Sequence, residues 1–285
     1  MERKLLVKVL KYILIVVIVL IFFFPIYWTL TMAFKPIQEW TSAGGTIFWV
    51  PNKPTLENFV SLFQKKVSVV SPLTETALRP IINSVIVSVT GTGIAMVIGT
   101  LAAYGISRHG SGGNLPFMLL GLRMIPLAAI IVPIMILWAF LGFIDTAYGL
   151  FILYGLATLP FAVLLMKTFF DEIPRELDEA AIVDGYSNWG AFTKFILPLA
   201  KGGMASTALF CFILNWSDFI LALVLTDKNW PTIPVHLDKL QSGYIGRLYG
   251  PKAAFAIIAV IPPVVFGIII QKYLVRGLTF GAIKK

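Results

Sequence analysis

Six long runs almost free of charge dominate this chain, and they leave it few ways to fold. They cover about residues 12–34, 81–107, 115–140, 147–169, 204–226 and 253–274. Each is long enough to cross a bilayer, which takes about 20 apolar residues. A backbone in hydrocarbon must satisfy its own polar groups, so it forms helices or a closed barrel. The runs are continuous rather than alternating, which selects helices. Only 13% of residues are charged and 58% are hydrophobic, whereas a soluble domain carries roughly 25% charge. The chain therefore reads as an all-α polytopic membrane protein, with residues 1–285 forming a single transmembrane domain.

The formal charge of +9 has the wrong distribution for nucleic acid. Lys and Arg gather at the chain ends and beside the apolar runs, where anionic headgroups meet them. Arg3, Lys4, Lys8 and Lys11 precede the first run and mimic a secretion signal. That run is too long for a signal core and no small-residue cleavage site follows, so it reads as a retained anchor. With six spans both termini share one side, which carries thirteen Lys/Arg against nine on the other. The bias places the termini in the cytoplasm. The single cysteine, Cys211, has neither a disulfide partner nor metal-ligand company and reads as a small core residue.

Most of the spans carry proline: Pro25, then Pro116, Pro126 and Pro133, then Pro160, then Pro262-Pro263. Each removes a ladder hydrogen bond that neighbours must replace at membrane depth. The second run instead carries Ser84, Ser88, Thr90, Gly91, Thr92, Gly93, Gly99 and Ala102, small residues that admit close helix approach. Both features suit a bundle around a polar cavity better than a passive anchor.

One polar segment, residues 171–200, interrupts this pattern between the fourth and fifth spans. Pro174 suits a first helical turn, Glu176, Asp178 and Glu179 suit the positive end of the helix dipole, and Gly185 suits a left-handed C-cap. Leu177, Ala180, Ala181 and Asp184 share a face by helical spacing, and the two alanines keep it shallow. Ser187 is placed to cap a second short helix with Trp189, Phe192 and Ile196 on its apolar side. The expectation is two short helices joined at a glycine. Physically this is either a knob for another protein's cleft or an ordinary amphipathic loop lying on headgroups.

Glu179-Ala180-Ala181, then Gly185, then Leu197-Pro198 resembles the EAA loop of permease subunits of binding-protein-dependent ABC importers. Phe195 stands where that family often has isoleucine. Pro54-Thr55-Leu56-Glu57-Asn58-Phe59, Asn83-Ser84, Ala102-Ala103-Tyr104-Gly105, Met124-Ile125-Pro126 and Ile173-Pro174-Arg175-Glu176-Leu177 resemble carbohydrate-type permeases in the same order. The tail from Gly277 to Lys284 looks like the end of the second maltose-type permease subunit. One departure is Trp216-Ser217-Asp218-Phe219, where the family commonly has asparagine second; here Asn215 stands just before.

The resemblance implies a type I ABC importer permease fold in a bacterial or archaeal cytoplasmic (inner) membrane. It implies a second permease subunit, two ATPase subunits and an extracytoplasmic solute-binding protein as partners. Glu179, Ala180, Ala181, Asp184, Gly185, Leu197 and Pro198 would form the ATPase-coupling site. The tail 277–285 would reach the ATPase, and loop 227–252 would touch the binding protein. The chain has no phosphate-loop motif, so ATP would be bound and hydrolysed by the partners, with no cofactor in this chain.

Asn83, Asn215, Trp216 and Asp218 are the candidate solute path. Each has a plainer reading: helix-packing glue for the asparagines, core packing for Trp216 and a hydrogen-bond hub for Asp218. An ionised aspartate at a helix centre costs about 2.5–3.5 kcal/mol on insertion scales, so Asp218 must face water, solute or a partner helix. Arg123, inside the third run, is placed to snorkel to the interface. The expected function is uptake of a sugar or sugar-like solute by alternating access. The alternatives are a non-sugar solute such as a glycerol phosphate, or an ion-coupled secondary transporter, for which the intramembrane charges are thin. The spans contain no catalytic constellation or metal-ligand spacing, so no enzymatic role is expected.

Overall fold

The computed structural model of the chain describes residues 2–41, 49–64, 76–110, 114–242 and 246–280. Its helices are α1 (Glu2–Ala33), α2 (Ile37–Thr41), α3 (Glu57–Phe63), α4 (Leu78–His109), α5 (Leu115–Leu122), α6 (Leu127–Phe140) and α7 (Ala147–Asp171). There follow α8 (Glu176–Val183), α9 (Asn188–Ala191), a π-helical turn (Phe192–Ile196), α10 (Leu197–Leu199), α11 (Lys201–Trp216), α12 (Ile220–Leu225) and α13 (Ile233–Lys239). A two-residue antiparallel ladder, β1 (Gln241–Ser242) with β2 (Gly246–Arg247), precedes α14 (Tyr249–Phe280). The chain divides into two compact units, Met1–Leu78 with His236–Ile261, and Arg79–Val235 with Pro262–Lys285. The last five residues of the tail, 281–285, lie outside the described residues.

In the first unit, none of the apolar stretch of α1 is buried within the chain, as expected for a helix whose surroundings are lipid or another subunit. Where α1 ends, its last carbonyls lack intrahelical partners. The Asn58 side chain, reaching over from α3, donates to the carbonyls of Ala33 (2.9 Å) and Lys35 (2.8 Å). Gly250 leaves room for it, since a Cβ there would stand 2.6 Å from Asn58 Oδ1. The motif around Asn58 thus closes the end of the first helix. Lys35 lies over the Trp28 ring at 4.4 Å, and Glu39 accepts the backbone amides of Asn52 and Lys53.

In the second unit, α4 packs against α7 through small residues. A Cβ on Gly91 would stand 2.8 Å from Tyr154 Cβ, and one on Gly99 would stand 2.6 Å from Ala162 Cβ. Ala95, Ala162 and Cys211 form a small buried cluster, which places Cys211 in the core as its surroundings suggested. A larger cluster joins Val87, Trp138, Leu153, Tyr154 and Leu225, and another joins Ala103, Met166, Phe170, Phe192 and Ile196.

Single helices α1, α4, α7 and α14 are each long and apolar enough to cross a membrane. Two further helix pairs pass the same test of length and composition only when taken together, and each pair is sharply bent. α5 and α6 meet at 86°, and the stretch Asn188–Leu199 meets α11 at 75°. The continuous third run of the sequence is therefore two helices. The break falls at Arg123–Pro126, where Pro126 drives the residue before it out of the helical region and starts α6. Arg123 caps α5 at this break, exposed, with its guanidinium 5.3 Å from the Phe161 ring centre, rather than lying inside a span. The fifth run is likewise divided, into α11 and α12.

Candidate functional site

The segment after α7 folds into the elbow its sequence suggests. Gly185 has φ +86°, a conformation that side chains with a Cβ avoid. Its amide donates to the Ile182 carbonyl and the next amide, Tyr186, reaches back to the Ala181 carbonyl, which closes the end of α8. Ser187 accepts the Gly190 amide and caps α9. The chain then passes through the π-helical turn and α10 into α11.

The two alanines do not share a face in the sense expected. Ala181 is buried with Asp178, while Leu177, Glu179, Ala180, Val183, Asp184 and Gly185 are exposed. Positions 178 and 181 are one turn apart and point inward together, which turns 180 and 183 outward. Trp189, expected on the apolar side of the second helix, is mostly exposed, whereas Phe192 and Ile196 are buried. Leu197 is half-buried and Pro198 exposed.

The inward face carries the strongest polar joint of the segment. Asp178 pairs with Arg108 at 2.8 Å and accepts the Tyr104 hydroxyl at 2.5 Å. Arg108 also donates to the carbonyls of Phe170 and Ile173, both at 3.1 Å. Arg175 reaches the Ser107 carbonyl at 2.7 Å, and the Ser107 hydroxyl donates to Asp171 at 2.6 Å. The rings of Tyr104, Phe170 and Phe192 close the joint, with Tyr104 and Phe192 4.5 Å apart. One buried ion pair, satisfied by further bonds at both ends, thus ties α8 to the last turns of α4.

The four residues singled out in the spans all make contacts inside the chain. Asn83 is buried and donates to the carbonyls of Asn229 (3.2 Å) and Pro231 (3.0 Å). Asn215 is buried between Thr92 and the Tyr154 carbonyl, each 3.2 Å from its amide. Trp216 is buried and stacks on Phe212 at 5.5 Å. Asp218 sits in the break after α11, accepts the Ala222 amide at 3.3 Å and so starts α12. Such contacts fit the helix-packing and hub roles and leave the solute-path reading untested by this geometry.

The family model described as "Binding-protein-dependent transport system inner membrane component" matches residues 95–280. The chain belongs to this family. Its relatives include the trehalose/maltose transport system permease protein MalG of Thermococcus litoralis, 33% identical over the whole of this chain and 99% of that protein. The trehalose transport system permease protein SugB of Mycobacterium tuberculosis is 34% identical, covering 91% of this chain and 92% of its own. Among solved structures, a bacterial ABC transporter involved in the import of the acidic polysaccharide alginate contains a chain that shares the fold. Its TM-score is 0.75 at 20% identity, over 96% of this chain and 98% of that one. The all-α, type I permease fold inferred from sequence is borne out, and the chain is a multi-pass inner membrane component.

This transport component has a second polar cluster that the sequence reading passed over. Asp145, in the turn between α6 and α7, adopts φ +54° and accepts the amides of Asp227 (3.0 Å), Asn229 (2.9 Å) and Trp230 (2.9 Å). The Asn229 side chain adds a fourth donor at 2.9 Å. Burial works to raise the Asp145 pKa, but these donors outweigh it and hold the carboxyl below its usual range. Ser84 accepts the Ile233 amide at 2.8 Å, beside the Asn83 bonds. Asp145, Asn83 and Ser84 together fix the stretch 227–233. Nothing local in the sequence points from Asp145 to its partners more than 80 residues away.

Proposed function

We propose that this chain is the transmembrane subunit of an ATP-driven importer that moves a sugar or sugar-like solute inward by alternating access. The observation that carries the reading is the elbow of α8 and α9. Its outer face (Glu179, Ala180, Asp184, Gly185) stands exposed, while its inner face is bolted to the helix bundle. A surface held rigidly yet presented outward is what a soluble motor needs in order to move the spans. Two ATPase subunits dock there, bind and hydrolyse ATP, and leave this chain with a transport role rather than an enzymatic one. A second permease subunit completes the pathway and an extracytoplasmic binding protein delivers solute, meeting the loop 227–252. The charge bias puts the termini and the elbow in the cytoplasm. Support for a carbohydrate comes from relatives named for trehalose and maltose. Solute contacts involving Asn83, Asn215, Trp216 or Asp218 require those residues to exchange the internal bonds they now make.

Gly185→Leu tests the docking surface, because leucine strains the left-handed position by about 1–2 kcal/mol and adds bulk to the exposed elbow. Copurification of the ATPase and solute uptake should both fall at least about tenfold, a change equivalent to 1.4 kcal/mol. Normal uptake with normal ATPase content would sink the docking reading. Thermal-shift screening of the cognate binding protein against sugars and glycerol phosphates identifies the solute.

A further inference from the structure

The two polar clusters stand at opposite ends of one helix. Tyr104, Ser107 and Arg108 lie in the last turns of α4, and Asn83 and Ser84 lie near its start. Ser84 and Arg108 are 24 positions apart, about 36 Å along a continuous helix. α4 also differs from the other helices long enough to cross. α1 carries Pro25 inside it, α7 carries Pro160 and α14 carries Pro262 and Pro263, whereas α4 has none in its interior. Its Pro80 falls in the first turn, where no ladder bond is lost. An interior proline opens the ladder and lets a helix bend. Along its length α4 lies close against α7 at Gly91 and Gly99, so it cannot bow towards that neighbour.

We propose that α4 is the transmission rod of the importer, with Asp178–Arg108–Tyr104 as its driven joint and Asn83–Ser84, backed by Asp145, as its output at the segment 227–233. This rests on the docking of the ATPase at the elbow. Movement of α8 is delivered to α4 by a buried ion pair, a hydroxyl bond and the Arg175–Ser107 bond, all within five residues of α4. At the far end, Asn83 and Ser84 hold the carbonyls of Asn229 and Pro231 and the amide of Ile233, so displacement of the rod displaces that stretch. ATPase state is thereby read out at the surface that meets the binding protein, along a path that bypasses the proline-bearing helices. Asp178, Arg108 and Tyr104 are positioning residues: they touch neither nucleotide nor solute.

The test uses the assembled importer in nanodiscs, with Lys228→Cys as a reporter. Lys228 is exposed within the latched segment, and the native Cys211 is buried, so a maleimide reports position 228. A non-hydrolysable ATP analogue with magnesium should change the labelling rate at least about fivefold, the lower end of typical coupling between sites. Two backgrounds cut the joint without stranding a charge: Tyr104→Phe, which keeps the ring cluster, and the double variant Arg108→Gln with Asp178→Asn. In the double variant the response should vanish, and in Tyr104→Phe it should shrink, with the ATPase still copurifying. A full response in the double variant, no response in the reporter with the joint intact, or loss of the ATPase from both backgrounds each overturns the proposal. Failure of the docking reading looks different, because it appears as normal uptake in Gly185→Leu.

Discussion

Each end of α4 engages a cluster that contains an aspartate, Asp178 in direct contact and Asp145 through the stretch 227–233, but the two acids work by different physics. Asp178 is almost out of solvent and faces a cation that is also buried, their side chains 12% and 8% exposed. Asp145 sits at a loop surface and gathers three backbone amides and one side-chain amide. The first arrangement joins two rigid helices through side chains and resists their separation. The second fixes the shape of a turn, because its donors all belong to one short stretch. The comparison teaches that a joint which must pass force is built from a buried, directional pair, while a joint which must hold a surface can remain wet.

The largest expected effect is at the buried pair. Asp178→Ala leaves Arg108 buried without its counter-charge, which costs about 3–5 kcal/mol. Thermal unfolding of the purified subunit in detergent should fall by on the order of 10 °C. Asp145→Ala strands three backbone amides and the Asn229 side-chain amide at a loop surface that water can reach, so its loss should be much smaller. Equal losses would break the comparison and assign both acids the same structural task.

How much of this was legible in advance follows from the range of the interactions. The apolar runs, the proline positions and the Gly185 elbow are local signals, and each spans fewer than about 30 residues, within reach of periodicity and capping rules. Asp178 itself was visible as an acid in the first turn of α8, but its role depends on Tyr104 and Arg108, some 70 residues earlier. No periodicity records that distance. The grouping of Ala180 with Ala181 on one face fails for the same reason: with four alanine-sized or acidic positions in a row, Asp178 to Ala181, the pattern of a short helix does not choose its buried side, and the partner helix does. The breaks at Arg123–Pro126 and Ser217–Phe219 each carry one charged residue, Arg123 and Asp218, inside a run that is otherwise apolar enough to read as continuous.

A middle-sized effect tests the rod between the two joints. Gly99→Ala puts a Cβ 2.6 Å from Ala162 Cβ and 3.1 Å from its backbone carbon, so α4 and α7 must separate. Overpacking of this kind costs about 1–3 kcal/mol. Gly93 is the internal control: its Cβ would meet nothing within 4 Å, so Gly93→Ala should stay within about 0.5 kcal/mol of the parent. Thermal melting of both variants decides the matter. If Gly99→Ala also weakens the nucleotide response at position 228 while Gly93→Ala does not, then contact with α7 is part of how α4 transmits. A stable Gly99→Ala would show that the two helices can part cheaply.

The smallest effect concerns the charge on Asp145, and pH isolates it. Asn tolerates the left-handed backbone at this position, so Asp145→Asn leaves the turn unstrained and changes only the acceptor. The amide keeps one acceptor oxygen and presents an N–H to donors that need a carboxylate oxygen. The folded pKa of Asp145 lies below the usual 3.8, because four N–H donors favour the ionised form more than burial disfavours it. A group with a depressed folded pKa contributes its stability in full above the unfolded value and loses it as pH falls through the folded one. The melting difference between the parent and Asp145→Asn should therefore be constant from pH 7 down to about pH 5 and narrow below about pH 4, as the parent carboxylate takes up its proton. Hydrogen exchange at the amides of Asp227, Asn229 and Trp230 should follow the same course, faster in the variant at neutral pH and converging in acid. A difference as large at pH 3 as at pH 7 would mean that shape rather than charge holds the turn, and the two ends of α4 would then differ less than their geometry implies.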